Sequence, residues 1–235
     1  MTITSQPLKS GIRGSWTETN KQGKTIFLEW ERFDGYTIPY FNRMKELAPI
    51  ESSYLLEQES NFWLPLVEKF KENPLLPDNP ELTDDNKNNL ILIKKGLDTG
   101  VSFKQVLTNY FIYMYDELIE NIKKEGPGNT INFIVTAKES NENILGFAAF
   151  NIKPDYPLGS VELEPLSIIP STQEQGLSKF LVFSIFKLWP ETKKVFLSPF
   201  KFNEKIQALY KKMNFIECLS AKDNPTLEYI NPKTH

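Results

Sequence analysis

Apolar residues change their spacing twice along this chain. From Ser102 to Lys124 they recur at helical intervals: Phe103, Val106, Leu107, Tyr110, Phe111, Met114, Leu118, Ile119 and Ile122 share one face, which predicts an amphipathic helix. Ser102 is placed to cap it, and Gly126-Pro127-Gly128 to end it. From Ile131 the texture becomes that of strands. Ile131–Ala137 and Ile144–Ile152 flank the polar stretch Glu139–Asn143, a hairpin by composition, and Val161–Ile169 is a third extended segment. At Gly176 the helical interval returns, in Leu177, Phe180, Leu181, Ile185 and Leu188. Lys194–Ser198 then reads as a strand, Asn203–Lys212 as a short helix, and Phe215–Cys218 as another strand. Asn214 suits the left-handed residue that ends such a helix.

Before Ser102 the pattern is more broken. Trp16–Thr19 and Thr25–Trp30 are joined by Asn20-Lys-Gln-Gly23, which predicts a β-hairpin. Pro39–Ala48 suits a short helix with proline in its first turn, and Asn61–Glu72 a second one. Pro74, Pro77 and Pro80 open a polar stretch running to Asn89, expected to be a flexible loop. Leu90–Ile93 is a short apolar run, strand or helix.

The junction Ile168-Ile-Pro-Ser-Thr-Gln-Glu-Gln-Gly-Leu-Ser178 is strand, tight polar turn and helix N-terminus. The first N–H groups of a helix lack partners, and the macrodipole adds partial positive charge there. A phosphate can accept from several of them. Gly176 lets the backbone come close, and Ser178 is small. Pro165 interrupts an otherwise good strand; having no N–H for a ladder, it implies an edge, a bulge or a gap.

Two spaced motifs in this region resemble the GNAT superfamily of acyl-CoA-dependent N-acetyltransferases, over roughly Ile131 to Ile230. The family's phosphate loop, Gln/Arg-x-x-Gly-x-Gly/Ala, corresponds to Gln173-x-x-Gly176-x-Ser178. Its later helix, Asn-x4-Ala-x-Tyr-x3-Gly-Phe, corresponds to Asn203, Ala208, Tyr210, Asn214 and Phe215. Ser178 and Asn214 depart from the family's residues, and both keep the geometry. The resemblance implies an α+β fold: a central mixed, mostly antiparallel sheet with flanking helices, splayed between the Val161 and Lys194 strands. Residues 1–100 would form an N-terminal hairpin and helical region, either extension or insertion, and 101–235 the acetyltransferase core. The family's first strand would be Thr25–Trp30 or Leu90–Ile93.

The resemblance also implies acetyl-CoA as co-substrate, its pantetheine arm in the splay beside Pro165. Leu166, Ser167 and Ile168 would meet the pantetheine amides. Gln173, Glu174, Gln175, Gly176, Leu177, Ser178 and Lys179 would surround the pyrophosphate, with Asn203 and, more weakly, Ser198 also on the cofactor. In lysine-acetylating members a base glutamate lies six residues before the strand's last apolar residue. Counting back from Ile168 gives Glu162, with Glu164 second. Tyr210 would protonate the leaving thiolate. The implied reaction is direct attack of a primary amine (lysine side chain, peptide N-terminus or small polyamine) on acetyl-CoA in a ternary complex. The alternative is a catalytically weak acyl-CoA-binding or protein-interaction module.

Composition narrows the partners. The only histidine is His235, which argues against Ser-His-Asp, Cys-His and histidine-zinc chemistry, so no metal is expected. A net charge of −3 argues against general nucleic-acid binding. No apolar run approaches a membrane span, and the lone Cys218, read as a small core residue, suits a reducing compartment; cytoplasm is the default. Leu177–Lys212 carries eight lysines against two glutamates, and Glu51–Asp98 ten acids against five lysines. The first suits a polyanionic cofactor and the second a cationic acceptor.

Overall fold

The computed structural model describes residues 4–8, 11–72, 98–139, 143–173, 175–198, 204–219 and 225–232. Its strands are β1 (Thr4–Leu8), β2 (Gly11–Thr19), β3 (Thr25–Asp34), β4 (Ile131–Lys138), β5 (Ile144–Ile152), β6 (Ser160–Ile168), β7 (Lys194–Leu197), β8 (Ile216–Leu219) and β9 (Pro225–Ile230). Its helices are α1 (Ile38–Glu72), α2 (Phe103–Glu125), α3 (Leu177–Phe183), α4 (Ile185–Leu188) and α5 (Glu204–Lys212). Pro74–Asn89, Leu90–Ile93, Glu174 and Asn203 lie outside the described residues.

The strands make one mixed sheet in the order β1-β2-β3-β4-β5-β6-β7-β9-β8. Every neighbouring pair is antiparallel except β6 and β7. This is the expected α+β architecture, with β3 (Thr25–Asp34) in the place open between two candidates: it pairs along the whole of β4. β4 and β5 are buried on both faces, which is why they read as unbroken apolar runs.

Helices cover both sides. On one face α1 and α2 bring Tyr40, Met44, Leu47, Phe111, Tyr115 and Ile119 onto Ile134, Phe147 and Ala149. On the other, α3, α4 and α5 bring Leu177, Leu181, Val182, Ile185 and Tyr210 onto Phe133, Val135, Val161 and Leu163. α2 has the predicted caps: the Ser102 hydroxyl accepts from Gln105 N–H, and Gly126 closes the far end at φ +87°, the first worth about 1 kcal/mol.

Two expectations need correction. Pro39–Ala48 and Asn61–Glu72 belong to a single 35-residue helix, α1. Pro49 lies in its interior and can donate no helical bond. The face burying Met44, Leu47 and Ala48, each at most 1% exposed, outweighs that loss. The Ser52 and Ser53 hydroxyls donate to the Ala48 and Pro49 carbonyls at 2.7 Å. The helix from Gly176 likewise breaks at Ser184, whose hydroxyl donates back to the Leu181 carbonyl at 2.6 Å.

Candidate active site

β6 organises the site because its two ends have different neighbours. Ser160, Val161 and Glu162 pair in parallel with Lys194, Val195 and Phe196. Among the described residues that pairing stops at Glu162, while β6 runs on to Ile168 against β5 alone. On the β5 side, Leu163 pairs with Phe150 and Leu166 with Ala148, so Glu164 and Pro165 together oppose Ala149. Pro165 therefore sits in a bulge, where its missing N–H costs the ladder nothing. Beyond Glu162, among the described residues, β6 has no partner on its β7 side, in keeping with the splay that the resemblance implied. Leu166 and Ile168 are buried on the α3 face. Ser167, 1% exposed, lies next to Phe147 in the ladder.

The turn after β6 has the predicted form. Pro170–Thr172 is a single 3-10 turn, closed by Gln173 N–H donating to the Pro170 carbonyl at 3.2 Å. Gly176 is the N-cap of α3 at φ +85°, a conformation that favours glycine, and it has no side chain to occupy the helix start. Leu177 is buried, Ser178 partly so, and Lys179 exposed. Gln175 faces elsewhere: its side-chain oxygen accepts from Asn20 Nδ2 at 3.0 Å and its carbonyl from Lys21 N–H at 3.4 Å. The β2–β3 hairpin tip is thus tied to the turn. Asn20 holds that tip by accepting from the Gln22 and Lys24 N–H groups. Ser198 is exposed just beyond β7.

The two β6 glutamates differ. Glu162 is committed: Lys153 Nζ lies 3.0 Å from its Oε2, and the Tyr156 hydroxyl donates to the same oxygen at 2.6 Å. Burial raises the Tyr156 phenol to about 12, reinforced by that hydrogen bond. Glu164 keeps an exposed surface. Its carboxyl is nevertheless raised, first by desolvation and then by the Glu162 charge, with Lys153 pulling it back. Opposite Glu162 in the ladder, Asn151 is buried with its Oδ1 unpaired among the described residues.

Tyr210, on α5, is 5% exposed and packs edge-on to Phe215 with ring centroids 5.1 Å apart. Burial raises its phenol, with a smaller contribution from Tyr54 of α1. The positive φ of Asn214, 66°, follows directly and lets Phe215 turn back beneath Tyr210. Cys218 corrects an expectation: it is half-buried, not a core residue, and its thiol donates to Glu228 Oε2 at 3.4 Å. Desolvation, then Glu228, raises that thiol, which disfavours the reactive thiolate.

Sequence reasoning missed Glu51 on α1. It is 9% exposed and accepts from the Tyr115 hydroxyl at 2.9 Å. Desolvation lifts its carboxyl to about 7, against the Tyr115 bond and with help from Glu164. The signal was present: Tyr40, Met44, Leu47, Glu51 and Leu55 share a helical stripe, with one carboxylate among apolar residues. A separate cleft of about 730 Å3 lies over β2 and β3 beside the start of α1. Neither the β6 carboxylates nor Tyr210 line it, and its ion pairs, Arg43–Glu31 at 2.8 Å and Lys138–Glu29 at 2.6 Å, close on themselves.

Among the described residues no helix is long and apolar enough to cross a membrane. Residues 102–215 match the model of the acetyltransferase (GNAT) family. Curated proteins give no match. Among solved structures the chain is similar to the PaiA N-acetyltransferase of Thermoplasma acidophilum in complex with coenzyme A: 13% identity, 86% of this chain and 99% of that one, TM-score 0.46. It is also similar to a spermidine N-acetyltransferase SpeG chimera from Vibrio cholerae and hSSAT: 20% identity, 51% and 79% covered, TM-score 0.38. The matched region spans α2 through α5 and includes β6 and β7, and over that region the chain is similar to the acetyltransferase (GNAT) family.

Proposed function

We propose that the protein transfers the acetyl group of acetyl-CoA to a primary amine, with the thioester arm lying between β6 and β7 and the pyrophosphate on the turn at Gly176. The observation that carries this reading is the end of β6–β7 pairing at Glu162 while β6 continues to Ile168. An extended, amide-bearing arm can use the backbone groups that such a gap leaves without a ladder partner. The turn fits a diphosphate by its cap: Gly176 brings no side chain, and the first helical N–H groups have no intrahelical acceptor.

Direct transfer then balances as follows. The amine nitrogen attacks the thioester carbonyl carbon, the N–C bond forms and the C–S bond breaks. The amine's proton passes to a β6 carboxylate and the thiolate takes one from Tyr210. Glu162 and Glu164 both stand on the strand that leads to the acyl position, and their surroundings favour Glu164 as base. Glu162 is already neutralised by Lys153 and Tyr156, whereas the raised carboxyl of Glu164 holds a proton better. A raised phenol at Tyr210 stays protonated near neutrality and so remains a hydrogen-bond donor to the charge developing on the departing sulfur, whose proton it can supply as that charge builds.

Calorimetric titration with acetyl-CoA, followed by CoA-release assays across an amine panel, tests the reading. Micromolar binding and amine-dependent release are expected, and Tyr210→Phe should lower kcat about a hundredfold with acetyl-CoA affinity retained. Binding without release from any amine would favour a binding module, and no binding would remove the cofactor from the reading.

A further inference from the structure

Among the described residues Glu51 is the only buried charged side chain, and the transfer chemistry above does not use it. Its Oε2 accepts from Tyr115. Its Oε1 has no hydrogen-bond partner among the described residues and is not sealed from solvent. A carboxylate is costly to bury half-satisfied, so such a site favours an incoming cation. The surroundings suit one. Tyr40 and Tyr115 lie in an aromatic cluster around Phe41, with ring centroids 5.0 and 6.1 Å from it, and aromatic faces attract alkylammonium groups. Glu164 of β6 is near enough to raise Glu51 through its charge. Independently, Asn151 of β5 buries an unpaired acceptor oxygen beside Glu162, on the same side of the sheet, which calls for a donor.

We propose that Glu51 is the acceptor-binding carboxylate of this enzyme: it seats the ammonium of a cationic amine among α1, α2 and the open end of β6, opposite Glu164, and so restricts the acceptor to cations. This deepens the reading of function above and rests on it. It divides the labour between carboxylates, Glu51 acting in acceptor binding and Glu164 in proton transfer.

The division has a pH signature. The groups facing Glu51 are Tyr40 on its own helix, Tyr115 on α2 and Glu164 on β6. Both phenols are raised and stay neutral near neutrality. Glu51 itself, lifted to about 7 by burial, is mostly protonated at lower pH and offers no counter-charge. An aliphatic amine stays cationic to about pH 10. Acceptor binding should therefore strengthen as pH rises through neutrality, whereas a Glu51 that only anchors Tyr115 predicts no such link.

The test is calorimetric titration of the full chain, with CoA present, using spermidine and a lysine-containing peptide as probes at pH 6 and pH 8. At least one probe should bind about tenfold tighter at pH 8, following the ionised fraction of one carboxyl. Glu51→Gln should weaken that binding about tenfold and abolish its pH dependence, with acetyl-CoA affinity unchanged as the check on folding. Tyr115→Phe removes a bond that favours the anion, so it should move the transition to higher pH. Wild-type binding by Glu51→Gln at both pH values would overturn the proposal. So would failure of both probes to bind the wild type, or pH-independent binding. Amine binding that follows this pattern without acetyl-CoA binding would instead overturn the reading of function.

Discussion

The two ends of β6 carry the same residue type in opposite circumstances. Along Ser160–Glu162 the strand is laddered to β7, Glu162 pairs with Asn151 of β5 as well, and Glu162 is closed off by Lys153 and Tyr156. Two residues later, among the described residues, β6 has no partner on its β7 side and Glu164 makes no hydrogen bond or ion pair; instead, desolvation raises its carboxyl. Where the sheet closes, charge is paired and serves structure. Where the β7 pairing ends, the carboxylate is left unpaired among the described residues, and its charge acts on Tyr36, Tyr40, Glu51 and Tyr115. Pairing, not residue type, separates the two carboxylates, since both lie on one strand face and meet different surroundings.

Swapping the two ends in kinetics is the harshest way to break that contrast. Glu164→Gln should lower kcat about a thousandfold with acetyl-CoA affinity kept, as expected for a lost general base. Glu162→Gln should cost about 1 kcal/mol of stability or less, since its ion pair is partly exposed, and lower kcat less than about tenfold. Equal losses, or the reverse order, would move the base to Glu162. A subtler variant sharpens the same point. Lys153 holds Glu164 down electrostatically while it neutralises Glu162. In Lys153→Met the Glu164 carboxyl rises further; a base must be ionised to act, so the acidic limb of kcat/KM should move to higher pH. A shift to lower pH would mean that another group sets the limb.

Much of this was legible in the chain because it is locally encoded. The doubled burial of β4 and β5, the Ser102 and Gly126 caps, the turn at Gly176 and the left-handed Asn214 each follow from a few neighbouring residues. Pro165 announced an interruption, although only coordinates show that it is a bulge on the β5 side combined with an opening on the other. The continuity of α1 was hidden by Pro49, which punctuates a helix that long-range packing sustains. The Asn20–Gln175 tie spans 155 residues and has no local signal. Counting along the strand put Glu162 ahead of Glu164, because alternation places both on one face and says nothing of Lys153 or Tyr156. Glu51 was one acid among ten in its stretch, and its burial depends on α2 arriving from across an intervening segment.

Residue-resolved hydrogen exchange of β6 with and without acetyl-CoA probes the parted sheet most directly. Amides within Leu163–Ile168 should gain protection on binding, while those of Ser160–Glu162, already paired with β7, should change little. Protection confined to Ser160–Glu162, or none in β6 despite saturating cofactor, would contradict a thioester arm lodged between β6 and β7.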